Sequence, residues 1–409
     1  MTQSDQPLTW TNWVGNQSFS PRAIIEVGSE TEVQEQVTHA AANGYGVRTY
    51  GARHSFTPII ETNGILLNLE KLKGVTHIDP TNRLVTALPM TTVGEFGDPL
   101  WAQGLALTNQ GDIDTQAIAG AIATATHGSG KHLTNFSAAL EGARIVDGLG
   151  QIFDITREST PDELAALQTS IGLLGIMTQL TIKVSPAYEL HARHEVLPFS
   201  EMMARYTEYL DTYRSFSFFW CPTDKSAELY GLSGAKADDC ALRLFQIPAP
   251  DVDRAHLPPN EQLDRSYRVF PMVYEPNFHE MEYFLPLDQA QEILREMRKL
   301  MLRWLPLSIY PLEIRNVAAD DAWLSPNYQR DNLVVSISGQ PGTDYWDYLR
   351  ACDSLFAEFQ GRPHWGKLHF MTADRLERLF PRYNDFVTLR GRFDPKGTYL
   401  NKHTQALFT

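Results

Sequence analysis

A chain of 409 residues exceeds what one compact core organises, so two or three domains are expected. Its 43% hydrophobic and 21% charged content excludes a disordered polymer. A net charge of −14 with no basic block excludes generic nucleic-acid binding. The start, MTQSDQPLTWTNWVGNQSFS, lacks the basic-then-apolar order of a secretory leader, and no apolar run reaches the roughly 18 residues that suggest a membrane span. Three scattered cysteines, Cys221, Cys240 and Cys352, make neither a disulfide framework nor a paired-thiol metal site, so a reducing, cytoplasmic setting is expected.

In chain order, Ser29-Glu30-Thr31-Glu32 has the form of a capping box opening a helix, with Val33, Val37 and Ala40 on one face and a stop near Gly44. GVRTYG predicts a short strand entering the tight loop GARHSF, and Ile65 to Leu69 an apolar strand. Val75–Ile78 and Leu84–Leu88 flank DPTNR as a hairpin, a helix from about Thr92 to Gln103 ends at Gly104, and ARIVDGLGQIFDI folds back at Asp147-Gly148. Strands without regular strand–helix–strand spacing predict an α+β domain over a doubly wound sheet.

Residues 190–280 read as irregular and rich in aromatics and prolines. Beyond them the pattern sharpens into a strand at Met281–Leu285 and a helix at Asp288–Trp304, with Ile293, Met297, Leu300 and Trp304 at helical spacing. Strands at Leu307–Val317 and Leu333–Ser338 and a helix at Tyr345–Phe359, closed by Gly361, complete a second domain on one sheet.

Two loops of small residues stand out, Gly51-Ala52-Arg53-His54-Ser55-Phe56 and Ala123-Thr124-Ala125-Thr126-His127-Gly128-Ser129-Gly130. The second fails as a nucleotide P-loop, because Ala125 stands at the first glycine position and His132 follows Lys131. No GxGxxG fingerprint is present, and His127 with His132 lacks a nearby acid or thiol, so no metal is expected. Together the loops offer backbone N–H groups that cradle an anion without a basic patch. Between them lies Leu107-Thr108-Asn109-Gln110-Gly111-Asp112-Ile113-Asp114.

Five ordered blocks carry a resemblance: YGVRTYGARHSF at 45–56, LTNQGDIDTQAIAGAIATATHGSG at 107–130, EIRNVAADDAWLSPNYQRD at 313–331, PHWGK at 363–367 and DPKGTYLN at 394–401. The chain resembles the sugar-oxidising branch of the vanillyl-alcohol oxidase-type flavoproteins, which holds the aldonolactone oxidoreductases and alditol oxidases. The resemblance implies an α+β, two-domain FAD-binding fold. Residues 1–188, joined by 380–409, would form the FAD-binding domain, and 189–379 an α+β substrate cap.

It also implies FAD attached covalently through His54, whose neutral imidazole is a competent nucleophile near pH 7. Gly51, Ala52, Arg53, Ser55, Thr124, Thr126, His127, Gly128 and Ser129 would complete the cofactor site. Relatives often read GxGHS, so Arg53 departs from the second glycine. Either that backbone is strained, or the guanidinium helps hold the diphosphate. Gly111 falls where a small residue beside the flavin controls oxygen access; glycine there resembles the oxidase pattern.

Asp112 replaces the serine with which alditol oxidases touch substrate. Glu313 and Arg315, two apart on a predicted strand, share one face and match the family's catalytic Glu-x-Arg. Lys367 matches its lysine at the reacting end, and His364 is a weaker candidate for positioning substrate.

The implied reaction is oxidation of a carbinol on a polyhydroxylated substrate, an aldono-1,4-lactone such as gulono- or arabinono-lactone, by hydride transfer to flavin N5. Reoxidation by O2 would give H2O2, and another electron acceptor is the alternative. Alditol oxidation of the xylitol or sorbitol type stands second. Oxidation of a bulkier alcohol stands third, with Phe216, Phe218, Phe219, Trp220 and Tyr230 lining a larger apolar pocket, and a flavin-binding protein without turnover is a different class.

Overall fold

The computed structural model describes residues 8–275 and 277–409; Met1–Pro7, part of the leader reading, and Pro276, within the 190–280 stretch, lie outside it. The first helix forms as its sequence predicts, over Glu30–Asn43 with Val33, Val37 and Ala40 buried and Gly44 left-handed at φ 69°. Ser29 accepts the Glu32 N–H at 3.2 Å, while the Glu32 carboxylate takes the Gly28 N–H at 2.7 Å, one residue outside the expected box.

This helix crosses between strands Ala23–Glu26 and Val47–Tyr50, which pair in parallel with Ile65–Asn68. Four residues, AIIE, are too few to show periodicity, so the sequence did not predict the first strand of this parallel unit. Both expected hairpins form, Val75–Asp79 with Leu84–Ala87 and Leu140–Val146 with Ile152–Thr156. They are joined through Ile176–Lys183 into a five-stranded antiparallel sheet. The helix expected at 92–103 splits into a 3-10 turn, Val93–Phe96, and a short helix, Gly97–Ala102, where Pro99 has no N–H to donate.

The stretch expected to be irregular is instead regular. It supplies strands Glu189–Pro198, Ser215–Trp220, Asp239–Gln246 and Glu261–Arg265 and the helix Phe199–Thr212. SFSFFW is buried on both faces, which erases the alternation that marks a half-exposed strand. With Leu312–Val317, Asn332–Gly339, His279–Pro286 and Arg362–Pro363 these strands make one eight-stranded antiparallel sheet. The helix Trp346–Glu358 ends with Gln360, at φ 54°, taking the left-handed position expected of Gly361.

Period-two alternation sorts this sheet into two chemistries. One face carries Phe216, Phe218, Leu242, Leu244, Met281, Tyr283, Ile314, Val335 and Ile337, in one core with Met202, Tyr206, Ile293, Met297, Leu349 and Phe356 of the helices. The other face is polar: Glu282 stands opposite Ser336, Ser336 opposite Glu313, Glu280 opposite Ser338 and Ser217 opposite Arg243. The C-terminal segment packs among the N-terminal strands, with the Val47 N–H on the Thr398 carbonyl at 2.7 Å and the Tyr399 hydroxyl on the Val146 carbonyl at 2.8 Å. Among the described residues no helix is long and apolar enough to cross a membrane.

Candidate active site

Two cavities adjoin between the N-terminal sheets and the polar face. The larger is an open cleft of about 1260 Å³, lined by Gly51, Ala52, Arg53, His54, Ser55, Thr124 and Thr126 of the predicted set. The smaller, about 670 Å³, is lined by Gly111, Asp112, His127, Glu313 and Arg315, with Glu280, Glu282, Tyr230 and Tyr274. Gln116, Thr126, His364 and Lys367 line both, so the cavities meet at these four side chains.

The loop at 51–55 is shaped by its neighbours. Arg53 is left-handed at φ 65°, the conformation a glycine adopts without strain. Its carbonyl accepts the Trp13 N–H at 2.9 Å, and its guanidinium lies 4.9 Å from the Tyr50 ring and 5.9 Å from the Trp10 ring. Burial, with Lys367 adding, holds the His54 imidazole down at about 4, so the ring is neutral. Its Nδ1 is buried without a hydrogen-bond partner.

An unpartnered neutral imidazole beside a run of small residues in an open cleft suits an extended cofactor. Gly51 adds to that fit, since a Cβ there would press on the Ala117 methyl at 3.0 Å. Arg48, which sequence reasoning missed, lies in this cleft and donates to the carbonyls of Ile171 and Tyr399 at 2.8 Å each. Burial pulls it down to about 10; its only signal was a charge inside an apolar strand.

Gly128 and Ser129 line neither cavity, contrary to expectation. Ser129 donates to the Phe216 carbonyl and accepts the Asn316 N–H at 3.1 Å, while a Cβ on Gly128 would lie 2.2 Å from the Gln110 carbonyl oxygen. Both stitch the loop to its surroundings. Gly111 is also explained by close approach, because a Cβ there would stand 2.8 Å from the His127 carbonyl oxygen.

Asp112 is saturated. Arg243 Nη1 reaches both its oxygens at 2.8 Å, and Arg315 and the Tyr274 hydroxyl donate to Oδ2 at 2.6 and 2.8 Å. Burial alone would raise this carboxyl, but Arg243 and Arg315 outweigh it and hold Asp112 well below the usual range. Expected to contact substrate, it lines the smaller cavity and also holds Arg315.

Glu313 pairs with Arg315, whose Nε lies at 2.8 Å. Burial raises Glu313; Arg315 opposes this, and Asp112 and Glu280 push it further up. For Arg315 burial works against the charge, but Asp112 and Glu313 hold it well above the usual value.

Lys367 is paired with Glu280. His127 places Nδ1 at 2.8 Å from the Gly128 carbonyl and Nε2 at 3.0 Å from Glu282. Burial opposes ionisation of Glu282, yet His127, His364 and Lys367 hold its carboxyl well below the ordinary range. Burial drives His364 down to about 3, against the pull of Glu282. Its Nδ1 accepts the Gly366 N–H at 3.0 Å, which leaves Nε2–H as a donor at the junction.

His127, Glu282 and His364 bring metal-capable atoms within 4.8 Å of one another, partners that sequence proximity did not reveal. Glu280 and Glu282 repeat on their strand the same i, i+2 signature as Glu313 and Arg315, and that alternation was the signal for them. Of the aromatics considered for a larger pocket, Phe216, Phe218, Phe219 and Trp220 are buried in the sheet, and Tyr230 alone lines a cavity.

The family model described as D-arabinono-1,4-lactone oxidase matches residues 245–407, and that of an FAD-binding domain matches 21–156. The chain is 32% identical to L-gulono-1,4-lactone dehydrogenase of Mycobacterium tuberculosis, over 97% of this chain and 98% of that protein. It is 24% identical to L-gulonolactone oxidase of Mus musculus over 100% of both, and 27% identical to alditol oxidase of a Streptomyces species over 96% and 97%. Among solved structures, the cholesterol oxidase of B. sterolicum superposes with a TM-score of 0.84 at 13% identity, covering 100% of this chain and 99% of that one, a likeness of fold.

Proposed function

The chain belongs to the sugar-oxidising branch of the vanillyl-alcohol oxidase-type flavoproteins, and from that premise we propose that it carries out FAD-dependent oxidation of a carbinol on an aldono-1,4-lactone. The observation that carries this reading is the junction of the two cavities. On one side lies His54 with its unpartnered nitrogen, on the other the Glu313–Arg315 pair, and between them Lys367 and His364.

In this reading the cleft holds FAD through the loop at 51–55, Thr124 and Thr126, with the covalent bond at His54. Residues 1–188 with 380–409 form the cofactor domain and 189–379 the cap. When bound, FAD would supply the two-electron acceptor for the carbinol hydride, and reoxidation by O2 would give H2O2. Arg315 and Lys367 would stabilise negative charge at the carbinol oxygen as its proton passes to solvent water. Glu313 accepts hydrogen bonds from the sugar hydroxyls, the His364 Nε2–H orients an acceptor oxygen, and Glu280 fixes Lys367. Dioxygen as acceptor rests on the relatives named oxidases, because the space beside Gly111 is filled by the His127 carbonyl.

The test is an absorbance spectrum of purified protein before and after anaerobic addition of gulono-, galactono- and arabinono-lactones, xylitol and sorbitol. A lactone should bleach the flavin fastest, with peroxide released on admitting air. A flavin that none of these carbinols reduces would refute the reading.

A further inference from the structure

Among the described residues four carboxylates line the smaller cavity, and their oxygens are not equally free. Asp112 has both taken, by Arg243, Arg315 and the Tyr274 hydroxyl. So has Glu280, by the Ser336 hydroxyl on Oε1 and Lys367 on Oε2. Glu313 and Glu282 differ. Arg315 holds only Oε1 of Glu313, and His127 holds only Oε1 of Glu282; neither Oε2 has a hydrogen-bond partner among the described residues.

Strand register sets the two side by side. Both stand opposite Ser336, one on each neighbouring strand, so their backbones lie two strand spacings, about 10 Å, apart on one face of the sheet. Their side chains are 13% and 6% exposed, and a carboxylate oxygen so placed is costly without a donor. The neighbouring cations are already committed, Lys367 to Glu280, Arg243 to Asp112 and Arg315 to both Asp112 and Glu313. The donors still to come are those of a ligand.

Resting on the function read above, we propose that Glu282 is a second hydroxyl-binding residue that sets specificity. Its Oε2 accepts from one substrate hydroxyl while Oε2 of Glu313 accepts from another. The ligand that completes the cavity therefore carries two hydroxyl donors besides the reacting carbinol. His127 is the positioning residue: its Nδ1–H donates to the Gly128 carbonyl at 2.8 Å, which fixes the ring, and Nε2 meets Oε1 of Glu282 at 3.0 Å.

The test follows anaerobic flavin reduction in purified holoprotein by gulono-1,4-lactone and by its monodeoxy analogues, each lacking one hydroxyl. The ligand-induced rise in melting temperature gives binding without turnover. In the unaltered protein, removing either of two non-reacting hydroxyls should slow the second-order reduction by at least about tenfold and weaken binding in parallel. In Glu282→Gln, whose amide oxygen can still take the His127 contact, one of those penalties should shrink to within about threefold while the other keeps its size. Glu282→Asp, which withdraws the oxygen by one methylene, is a second variant with the same expected direction.

Fewer than two costly hydroxyls in the unaltered protein would overturn the proposal. So would folded variants in which no penalty moves, or in which all shrink together, the outcome of a merely structural role. If the lactone reduces the flavin but its analogues behave in either of these ways, only the assignment of Glu282 falls. If neither lactone nor polyol reduces it, the proposed function falls and takes this assignment with it.

Discussion

The indole of Trp13 lies flat on the imidazole of His54, with ring centroids 4.9 Å apart and planes 13° from parallel. The strap that carries Trp13 also grips the loop's backbone: Asn12 donates to the Ser55 carbonyl at 2.9 Å, and Asn16 and Gln17 to that of Phe56 at 2.9 and 3.0 Å. With Nδ1 unpartnered, stacking is what sets the angle of the ring. Trp13→Ala should therefore keep noncovalent FAD but lose about 1 kcal/mol of ring orientation, cutting the covalent fraction several-fold. In-gel flavin fluorescence after denaturation measures it, and full covalent loading would show that the stack is incidental.

Arg315→Ala should lose about 3–5 kcal/mol of transition-state stabilisation in kcat/KM, with flavin content unchanged. Melting temperature belongs beside the kinetics, because the change leaves Asp112 and Glu313 without a shared partner. Near-normal turnover would remove Arg315 from the reaction.

Gly111→Ala places a methyl 2.8 Å from the His127 carbonyl, where backbone must give way. We expect a loss of about 1–3 kcal/mol in stability together with any change in oxygen reactivity. A variant as stable as its parent, altered only in its oxygen rate, would contradict the steric account.

Buried His364 titrates at about 3, below the roughly 6.5 of an unfolded histidine. The unfolded chain then binds the proton first, so this stabilisation is complete above pH ~6.5 and is lost as pH falls toward the folded value. Between pH 7.5 and 5.5 the loss from this residue is about 1.4 kcal/mol. His364→Asn, whose carbonyl can still accept the Gly366 N–H, should flatten that part of the stability–pH curve. A curve parallel to the parent's would mean that the ring is solvated.

The chain's local chemistry was legible where a motif or a period carries it. The capped helix at 30–43, both N-terminal hairpins and the Glu313–Arg315 face were readable because their determinants lie within a few residues of one another. Gly128 and Ser129 were misjudged, since a glycine and a serine in a small-residue loop suit close packing as well as cradling a ligand. The cap strands were missed because burial on both faces removes the pattern that exposes a strand.

By itself, then, the sequence determined the kind of fold, the small-residue loop that carries His54 and the shared strand face of Glu313 and Arg315. Only the tertiary structure decided the charge state of the site. Asp112 meets Arg243 across 131 positions, Lys367 meets Glu280 across 87, and His127 meets Glu282 across 155. Coulomb attraction between buried groups depends on separation in space and on exclusion of water, and neither quantity is written in the order of residues along a chain.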